Sequence, residues 1–393
     1  MKKEFLSPTQ AAKILGISRQ AVIDRIKHGT LSAEKAGRQY IIPRKLIKPN
    51  RSKTRKTKAI PTPSHPTAEK EGVKEVLEKV EKHNIRTIQL WFVDILGILK
   101  CVSITPGEVK EALEHGKGFD GSSVAGFAEA EESDIIAMPD TSTFKILPWT
   151  KETGTIARMF CDILNPDRSP YPGDARYVLK RAMGRAKKLG FTFFVGAEIE
   201  YFYFKGDKKP EIIDEGSYFE LIPNDLANTL RNKTVRILEE MGIPMEASHH
   251  EVAPSQHEID PKYADALTAA DNVITCKYVI KEIAQQNGVY ATFMPKPLFG
   301  VNGSGMHTHQ SLFHGSKNAF FDKKDKYHLS TIAKQFIAGQ LKHAREISSL
   351  TAQWVNSYKR LVSGYEAPVY ASWAQRNRTA LLRVPLYRPG NEK

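Results

Sequence analysis

Residues 48–68 read KPNRSKTRKTKAIPTPSHPTA, and no compact element can be made of them. Cationic residues are interleaved with small polar ones, and Pro49, Pro61, Pro63 and Pro66 remove backbone donors and keep the chain extended. The segment buries too little apolar surface to offset the entropy of ordering it. The chain is therefore expected to fold on either side of a tether, as a head at 1–47 and a body from 69 onward. Charge divides at the same place. Residues 1–60 hold 16 Lys/Arg against 3 Asp/Glu, and the remaining residues hold 42 against 41. All but one unit of the net charge of +14 thus belongs to the head and tether, and a basic, partner-seeking surface is an N-terminal property.

The head reads as two short helices and a wing. Ser7-Pro8 is a cap followed by proline at the first helical position. Ala11, Ala12 and Leu15 form an apolar face, and Gly16 stops the helix. Ser18 caps a second helix whose Ala21, Val22 and Ile26 face inward, leaving Arg19, Gln20 and Arg25 outside. Residues 35–43 read as a hairpin. The whole stretch LSPTQAAKILGISRQAVIDRIKHGTLSAEKAGRQYIIPRKLI resembles the winged helix-turn-helix of phage excisionases. The resemblance implies a second helix that enters a major groove through Arg19, Gln20 and Arg25 while surrounding cations meet phosphates. DNA contact through residues 1–58 is the expectation. A small charged helical pair that docks protein is the alternative.

For the body, 393 residues with 41% apolar content allow two or three domains in all. WFVDILGIL is interrupted by Asp94 and is too short to cross a membrane. The start, MKKEFLSPTQ, lacks an apolar signal core. Cys101, Cys161 and Cys276 are far apart with no C-x-x-C, which argues against a disulfide framework or a thiolate metal site. A soluble, cytoplasmic α+β protein is the expectation, since strand and helix patterns alternate to the end.

Four clusters carry the chemistry. In FTFFVGAEIEYFYF, Glu198 and Glu200 are two apart on a β-prone aromatic segment and share a face. Either a cation relieves their repulsion, or they line a solvent-facing edge. In ASHHEVAPSQHEID, Pro254 rules against a continuous helix, so a strand, a turn at Ala253-Pro254-Ser255 and a returning strand would bring Glu251 and Glu258 together from both sides. His249, His250 and His257 read as hydrogen-bonded supporting groups. In GVNGSGMHTHQS, glycines permit close backbone approach to a ligand, and His307 and His309 alternate on one strand face. The fourth cluster holds Arg360, Glu366, Arg376, Arg378 and Arg383. Arginines clamp phosphoryl groups, and carboxylates with one imidazole suit Mg²⁺ or Mn²⁺.

The segments FDGSSVAGF, GAEIEYF, HHEVAPSQHEID, ATFMPKPLFGVNGSGMHTHQSLF, NSYKRLV, GYEAPVY and RNRTALLRVP resemble, in order and spacing, those of class I glutamine synthetase. The resemblance implies a β-grasp domain at 69–165, a catalytic α/β domain at 166–393, and hexameric rings or double rings with sites between subunits. It implies glutamate, ammonia and ATP as substrates. Glu200, Glu251 and Glu258 would hold one Mg²⁺ or Mn²⁺, and Glu198 and His307 a second nearer the nucleotide. Asn302, Gly303, Arg360 and Glu366 would hold glutamate, with Glu366 on a closing flap. Glu246, His309 and Ser311 would contact ATP. Arg378 and Arg383 would steady phosphates, Arg378 also touching glutamate, and Asp120 of an adjacent subunit would take a proton from ammonium. The family's next segment, which supplies a further acid to the second site, does not follow Arg383-Val384-Pro385, so weak activity is the expectation for these 393 residues. Ser363 stands where the family usually has proline. A ligase for another amine and a nitrogen-responsive DNA-binding regulator are the competing readings.

Overall fold

The computed structural model describes residues 5–15, 19–36, 39–46, 70–126, 134–152 and 154–386. The tether, the proposed cap Ser18 and the segment 387–393 lie outside the described residues. The chain divides into two units, Met1–Ser64 and His65–Lys393.

The first unit follows the expected pattern. Strand β1 (Phe5–Leu6) leads into α1 (Pro8–Leu15), α2 (Arg19–Lys27), β2 (Glu34–Ala36) and β3 (Gln39–Pro43). Ser7 Oγ accepts from the backbone N–H of Gln10, and Gln10 Oε1 accepts from that of Ser7. This reciprocal pair is a capping box, and it fixes where α1 starts. The two helices bury Ala11, Ala12 and Val22 against Leu6 and Ile42. The sheet runs β1-β3-β2, so the expected hairpin of β2 and β3 gains a third strand from residues ahead of α1. Arg25 is exposed in the last turn of α2. Arg19 and Gln20 begin that helix, and their side chains lie outside the described residues.

The second unit starts with α3 (Lys70–Lys82), whose Val76 and Val80 are buried at helical spacing. A six-stranded sheet follows, made of β4 (Thr87–Val93), β5 (Leu99–Ile104), β6 (Lys117–Asp120), β7 (Asp134–Pro139), β8 (Lys145–Ile146) and β9 (Ile156–Leu164), with α4 (Val109–His115) between β5 and β6. Its order is β5-β4-β9-β7-β6, with β4 and β9 parallel and β8 paired to β9. Helices α3 and α4 cover one face of it.

After α5 (Ala175–Lys188), a thirteen-residue strand β10 (Thr192–Phe204) organises the second sheet. It is joined by α6 (Leu226–Glu240), β11 (Met245–His250), β12 (Gln256–Pro261), β13 (Ala264–Asp265), α7 (Ala266–Gln286), β14 (Tyr290–Thr292), β15 (Met306–His314) and β16 (Lys317–Asn318). The order is β11-β12-β10-β15-β16, and β13 and β14 also pair with β10. Parity along β10 decides what each face does. Ala197, Ile199, Tyr201 and Tyr203 pack with Leu230, Leu238, Val279, Ile280 and Ile283 of α6 and α7. Glu198 and Glu200 are left on the opposite face. Trp91 and Phe160 of the first sheet enter the same core, Trp91 meeting Tyr278 of α7 at 4.9 Å between ring centroids. Helices α8 (Thr331–Lys342), α9 (Ala344–Thr351) and α10 (Val355–Arg360) and a parallel pair, β17 (Trp373–Gln375) and β18 (Leu382–Val384), follow. Among the described residues no helix is long and apolar enough to cross a membrane.

Candidate metal and phosphoryl-transfer site

The strand registers bring distant acids into one patch. Glu200 of β10 stands opposite Glu258 of β12, and Glu258 stands opposite His249 of β11. On the other side of β10, Glu198 faces His307 and Gly196 faces His309 of β15. Asp260, two residues beyond Glu258, falls on the same face. Glu251 follows β11 just before the turn, its N–H donating to the carbonyl of Gln256 at 2.7 Å. The expected strand, turn and returning strand are all present, with β11 ending at His250.

Glu198 accepts from both imidazoles, His307 Nδ1 at 2.6 Å and His309 Nε2 at 2.6 Å. Burial pushes its carboxyl up, but the two imidazoles more than offset that and hold it well below the usual carboxylate range. His307 Nδ1 also lies 3.8 Å from Glu200 Oε1, and its imidazole is pushed up by the Glu198 hydrogen bond first and then by the Glu200 charge. Glu200 is buried, 7% exposed, and its carboxyl is raised by that burial, with Glu258 adding repulsion. Glu251 is pushed up to about 7, by burial and then by the charges of Glu200 and Glu258. Asp260 is pushed up to about 8, by burial and then by Glu258, and its Oδ1 is buried with no hydrogen-bond partner. His249 lies with Nε2 3.2 Å from Glu258 Oε1 and Nδ1 3.9 Å from Glu251 Oε1. Burial lowers its affinity for a proton, yet the bond to Glu258 carries the imidazole up to about 8. Hard oxygen donors whose charged forms repel one another, one of them orphaned, fit a divalent cation such as Mg²⁺ or Mn²⁺.

In the glycine-rich loop, Gly305 donates its N–H to Glu200 Oε2 at 2.8 Å. Gln256 Nε2 donates to the same oxygen and to the carbonyl of Gly303, both at 3.2 Å. A Cβ on Gly305 would collide with the Arg360 guanidinium, and one on Gly303 with the carbonyl of Pro295. Both glycines are therefore needed for close packing around Arg360. Burial lowers the proton affinity of Arg360, and the neighbouring Glu200 charge counters this.

Glu366 takes a left-handed backbone, φ 55°, and its Oε2 lies 3.6 Å from Arg378 Nη1. Arg378 also covers the Tyr218 ring at 5.7 Å. Its proton is held more firmly by a Tyr218 hydrogen bond and then by the charges of Glu366 and Glu251. Asp120 ends β6 and caps the next turn, Oδ1 accepting from Ser122 N at 2.8 Å and Ser122 Oγ at 2.6 Å. These bonds hold its carboxyl below the usual range. Among the described residues, Asp120, Glu246, Asn302, Ser311 and Arg383 make no side-chain hydrogen bond or ion pair with the carboxylate patch. Glu246 is exposed on β11, Ser311 lies on β15 opposite Phe194, and Arg383 is exposed on β18.

Sequence reasoning missed Asp260, Gln256 and Asp214. Asp260 had a usable signal, the two-residue spacing from Glu258. Asp214 had none, for it is one acid in a polar loop, brought beneath β11 and β12 only by the fold.

Comparison with known proteins agrees with this architecture. The family model described as glutamine synthetase, catalytic domain, matches residues 172–393, that for its beta-grasp domain matches 84–166, and a helix-turn-helix domain model matches 5–48. The glutamine synthetase of Mycolicibacterium smegmatis is 53% identical over 320 residues, covering 80% of this chain and 72% of that protein. That of Methanosarcina mazei is 52% identical over 318 residues, covering 80% and 71%. Among solved structures, Plasmodium falciparum glutamine synthetase superposes with a TM-score of 0.73 at 28% identity, over 79% of this chain and 67% of that one. A GmaS/ADP complex gives 0.71 at 27% identity, over 78% and 73%. The chain belongs to the glutamine synthetase family and carries, ahead of the family's two domains, a helix-turn-helix module.

Proposed function

We propose that this chain is an ATP-dependent glutamate–ammonia ligase working through γ-glutamyl phosphate. The side-chain carboxylate of glutamate attacks the γ-phosphorus of ATP, and the bond from phosphorus to the ADP oxygen breaks. Ammonia then attacks the acyl carbon, phosphate departs, and a proton goes to Asp120 of an adjacent subunit in a ring. Glu200, Glu251 and Glu258 would hold one Mg²⁺ or Mn²⁺, and Glu198 and His307 another. These ions supply charge neutralisation for the transferring phosphoryl group. Asn302, Gly303, Arg360 and Arg378 orient glutamate. Glu366, close to Arg378, shields the acyl phosphate from water. Glu246, His309, Ser311 and Arg383 bind the nucleotide. The observation that carries the reading is the convergence of Glu200, Glu251 and Glu258 from three chain positions, where burial and mutual repulsion raise Glu200 and Glu251. The first unit is proposed as a DNA-binding head through Arg19, Gln20 and Arg25, supported by the helix-turn-helix match and the N-terminal excess of cations.

The test is glutamine formation and ADP release from ATP, glutamate and ammonium, in the parent and in Glu200→Gln. Loss of a metal-holding acid is expected to lower the rate by more than roughly 100-fold with the fold intact. Glutamine formed equally fast by Glu200→Gln overturns the ligand assignment. A parent inactive with ammonium but active with an alkylamine shifts the reading to another amide ligase.

A further inference from the structure

Beneath the carboxylate patch, on the helix-covered side of the sheet, lies a buried polar cluster that the proposed chemistry does not use. Asp214 Oδ1 accepts from His250 Nε2 at 2.7 Å, from Ser255 N at 3.0 Å and from Gly216 N at 3.1 Å. Its Oδ2 accepts from His257 Nε2 at 3.2 Å. His250 Nδ1 donates to the carbonyl of Glu251 at 2.6 Å. His257 Nδ1 meets Arg231 Nη1 at 2.9 Å, and Arg231 Nη2 donates to Asn228 Oδ1 at 2.8 Å. Arg231 has no lone pair to offer, so His257 Nδ1 is the acceptor and its proton sits on Nε2, toward Asp214. His250 has Nδ1 committed to a carbonyl and Nε2 to a carboxylate, so it bears both protons. The cluster has one consistent proton arrangement, and Asp214 is its hub.

The hub touches the segment between Glu251 and Glu258 at each of its structural points. His250 precedes Glu251 and His257 precedes Glu258. Ser255 is the turn's apex, fully buried, with a left-handed backbone of φ 60°. A non-glycine residue holds that conformation only where its surroundings enforce it. Here Ser255 Oγ accepts from the N–H groups of Ile213 at 2.7 Å and Asp214 at 3.2 Å, while its own N–H is taken by the Asp214 carboxylate. Gly216 lets the loop close, since a Cβ there would sit 2.5 Å from His250 Nε2.

We propose that Asp214 is a positioning residue for cation binding, clamping the turn from below so that Glu251 and Glu258 are held at the spacing a shared ion requires. This rests on the metal-ligand reading of those two glutamates. In this role Asp214 is not itself a ligand, and it acts through the imidazoles of His250 and His257 and the backbone N–H of Ser255. Second-sphere groups of this kind change metal affinity by roughly 10–100-fold.

The experiment is Mn²⁺ titration of the full chain followed by electron paramagnetic resonance, with far-ultraviolet circular dichroism and thermal melting as controls. The variants are Asp214→Ala, Asp214→Asn, Glu251→Gln and Glu258→Gln. Asp214→Asn keeps the size and the acceptor for His250 but turns an N–H toward the N–H of His257, so it repairs half the clamp. The expected result is Mn²⁺ affinity at least ten-fold weaker in Asp214→Ala, intermediate in Asp214→Asn, with an altered Mn²⁺ line pattern and an unchanged dichroism spectrum. At saturating Mn²⁺ the turnover of Asp214→Asn returns toward that of the parent while its half-activating Mn²⁺ concentration stays high. Affinity within two-fold of the parent in folded Asp214→Asn overturns the positioning role, as does Asp214→Asn binding no better than a folded Asp214→Ala. Should Asp214→Ala not fold, Asp214→Asn decides alone. A parent that binds Mn²⁺ equally with and without Glu251→Gln and Glu258→Gln overturns the ligand reading itself, a distinct outcome.

Discussion

Glu251 shows how burial and neighbouring charges make one carboxylate costly to ionise. The carboxyl is pushed up to about 7 by burial and by Glu200 and Glu258, whereas in an unfolded chain a glutamate titrates near about 4.3. Between those values the folded state keeps the proton and the unfolded state has lost it. The unfolded state therefore binds fewer protons, and stability falls as pH rises across that window. Asp260, pushed up to about 8, acts in the same direction. A divalent cation needs the ionised form, so its affinity rises over the same interval. The expected outcome is a melting temperature of the metal-free protein that declines from pH 5 to pH 8, with the decline removed by saturating Mn²⁺. Calorimetry or dye-monitored melting at four pH values, with and without the metal, checks it. A metal-free melting temperature that climbs over the interval would contradict the sign.

Elements position the acids, and here the sequence was partly legible. The period of two along β10 and the proline-bearing turn at 253–255 placed Glu198 with Glu200 and Glu251 with Glu258. Strand parity likewise separates His257, packed against Tyr203 at 5.2 Å between ring centroids, from Glu258 on the patch. What stayed hidden depends on contacts between elements far apart in sequence. Asp214 reaches His250 and His257 across a helix and a strand. Arg176 of α5 is a second case. Its guanidinium, 8% exposed, bonds Asp271 of α7 at 2.7 Å, Asp162 of β9 at 2.8 Å and Asp140 at 3.0 Å. One cation thereby ties the first sheet to the helical layer of the second, and nothing local in AVILM-type periodicity marks it. Arg176→Met leaves three acids facing one another in a low-dielectric junction. It is expected to cost about 3–5 kcal/mol, read from urea unfolding. Adding Asp271→Asn to that variant should return part of the loss, because one of the uncompensated charges is gone. An Arg176→Met protein within about 1 kcal/mol of the parent would show that the junction is held by packing alone.

At the scale of the whole molecule, the two units differ in charge and in core size, and both differences have measurable consequences. Among the described residues the head's core holds five buried side chains, Leu6, Ala11, Ala12, Val22 and Ile42, whereas the body's two main clusters are far larger. So small a core supports only marginal stability, so the head is expected to melt separately from the body and at lower temperature. The excess cations are concentrated there and in the tether, so if the head binds DNA as proposed, its affinity is expected to be dominated by released counterions. The logarithm of the binding constant then falls linearly with the logarithm of salt concentration, by about 0.9 per phosphate contacted. Arg25→Ala, which removes an exposed charge at the end of α2, is expected to reduce that slope by about one if Arg25 meets phosphate. If it reads a base edge, the slope stays and discrimination between sequences drops by about 1–3 kcal/mol. Removing residues 1–64 should abolish the salt-dependent DNA shift and leave Mn²⁺ titration of the body unchanged, because the carboxylate patch is built wholly from residues 198–309. A body that still shifts DNA with the same salt slope would move the nucleic-acid surface off the helix-turn-helix unit, and with it the meaning of the N-terminal charge.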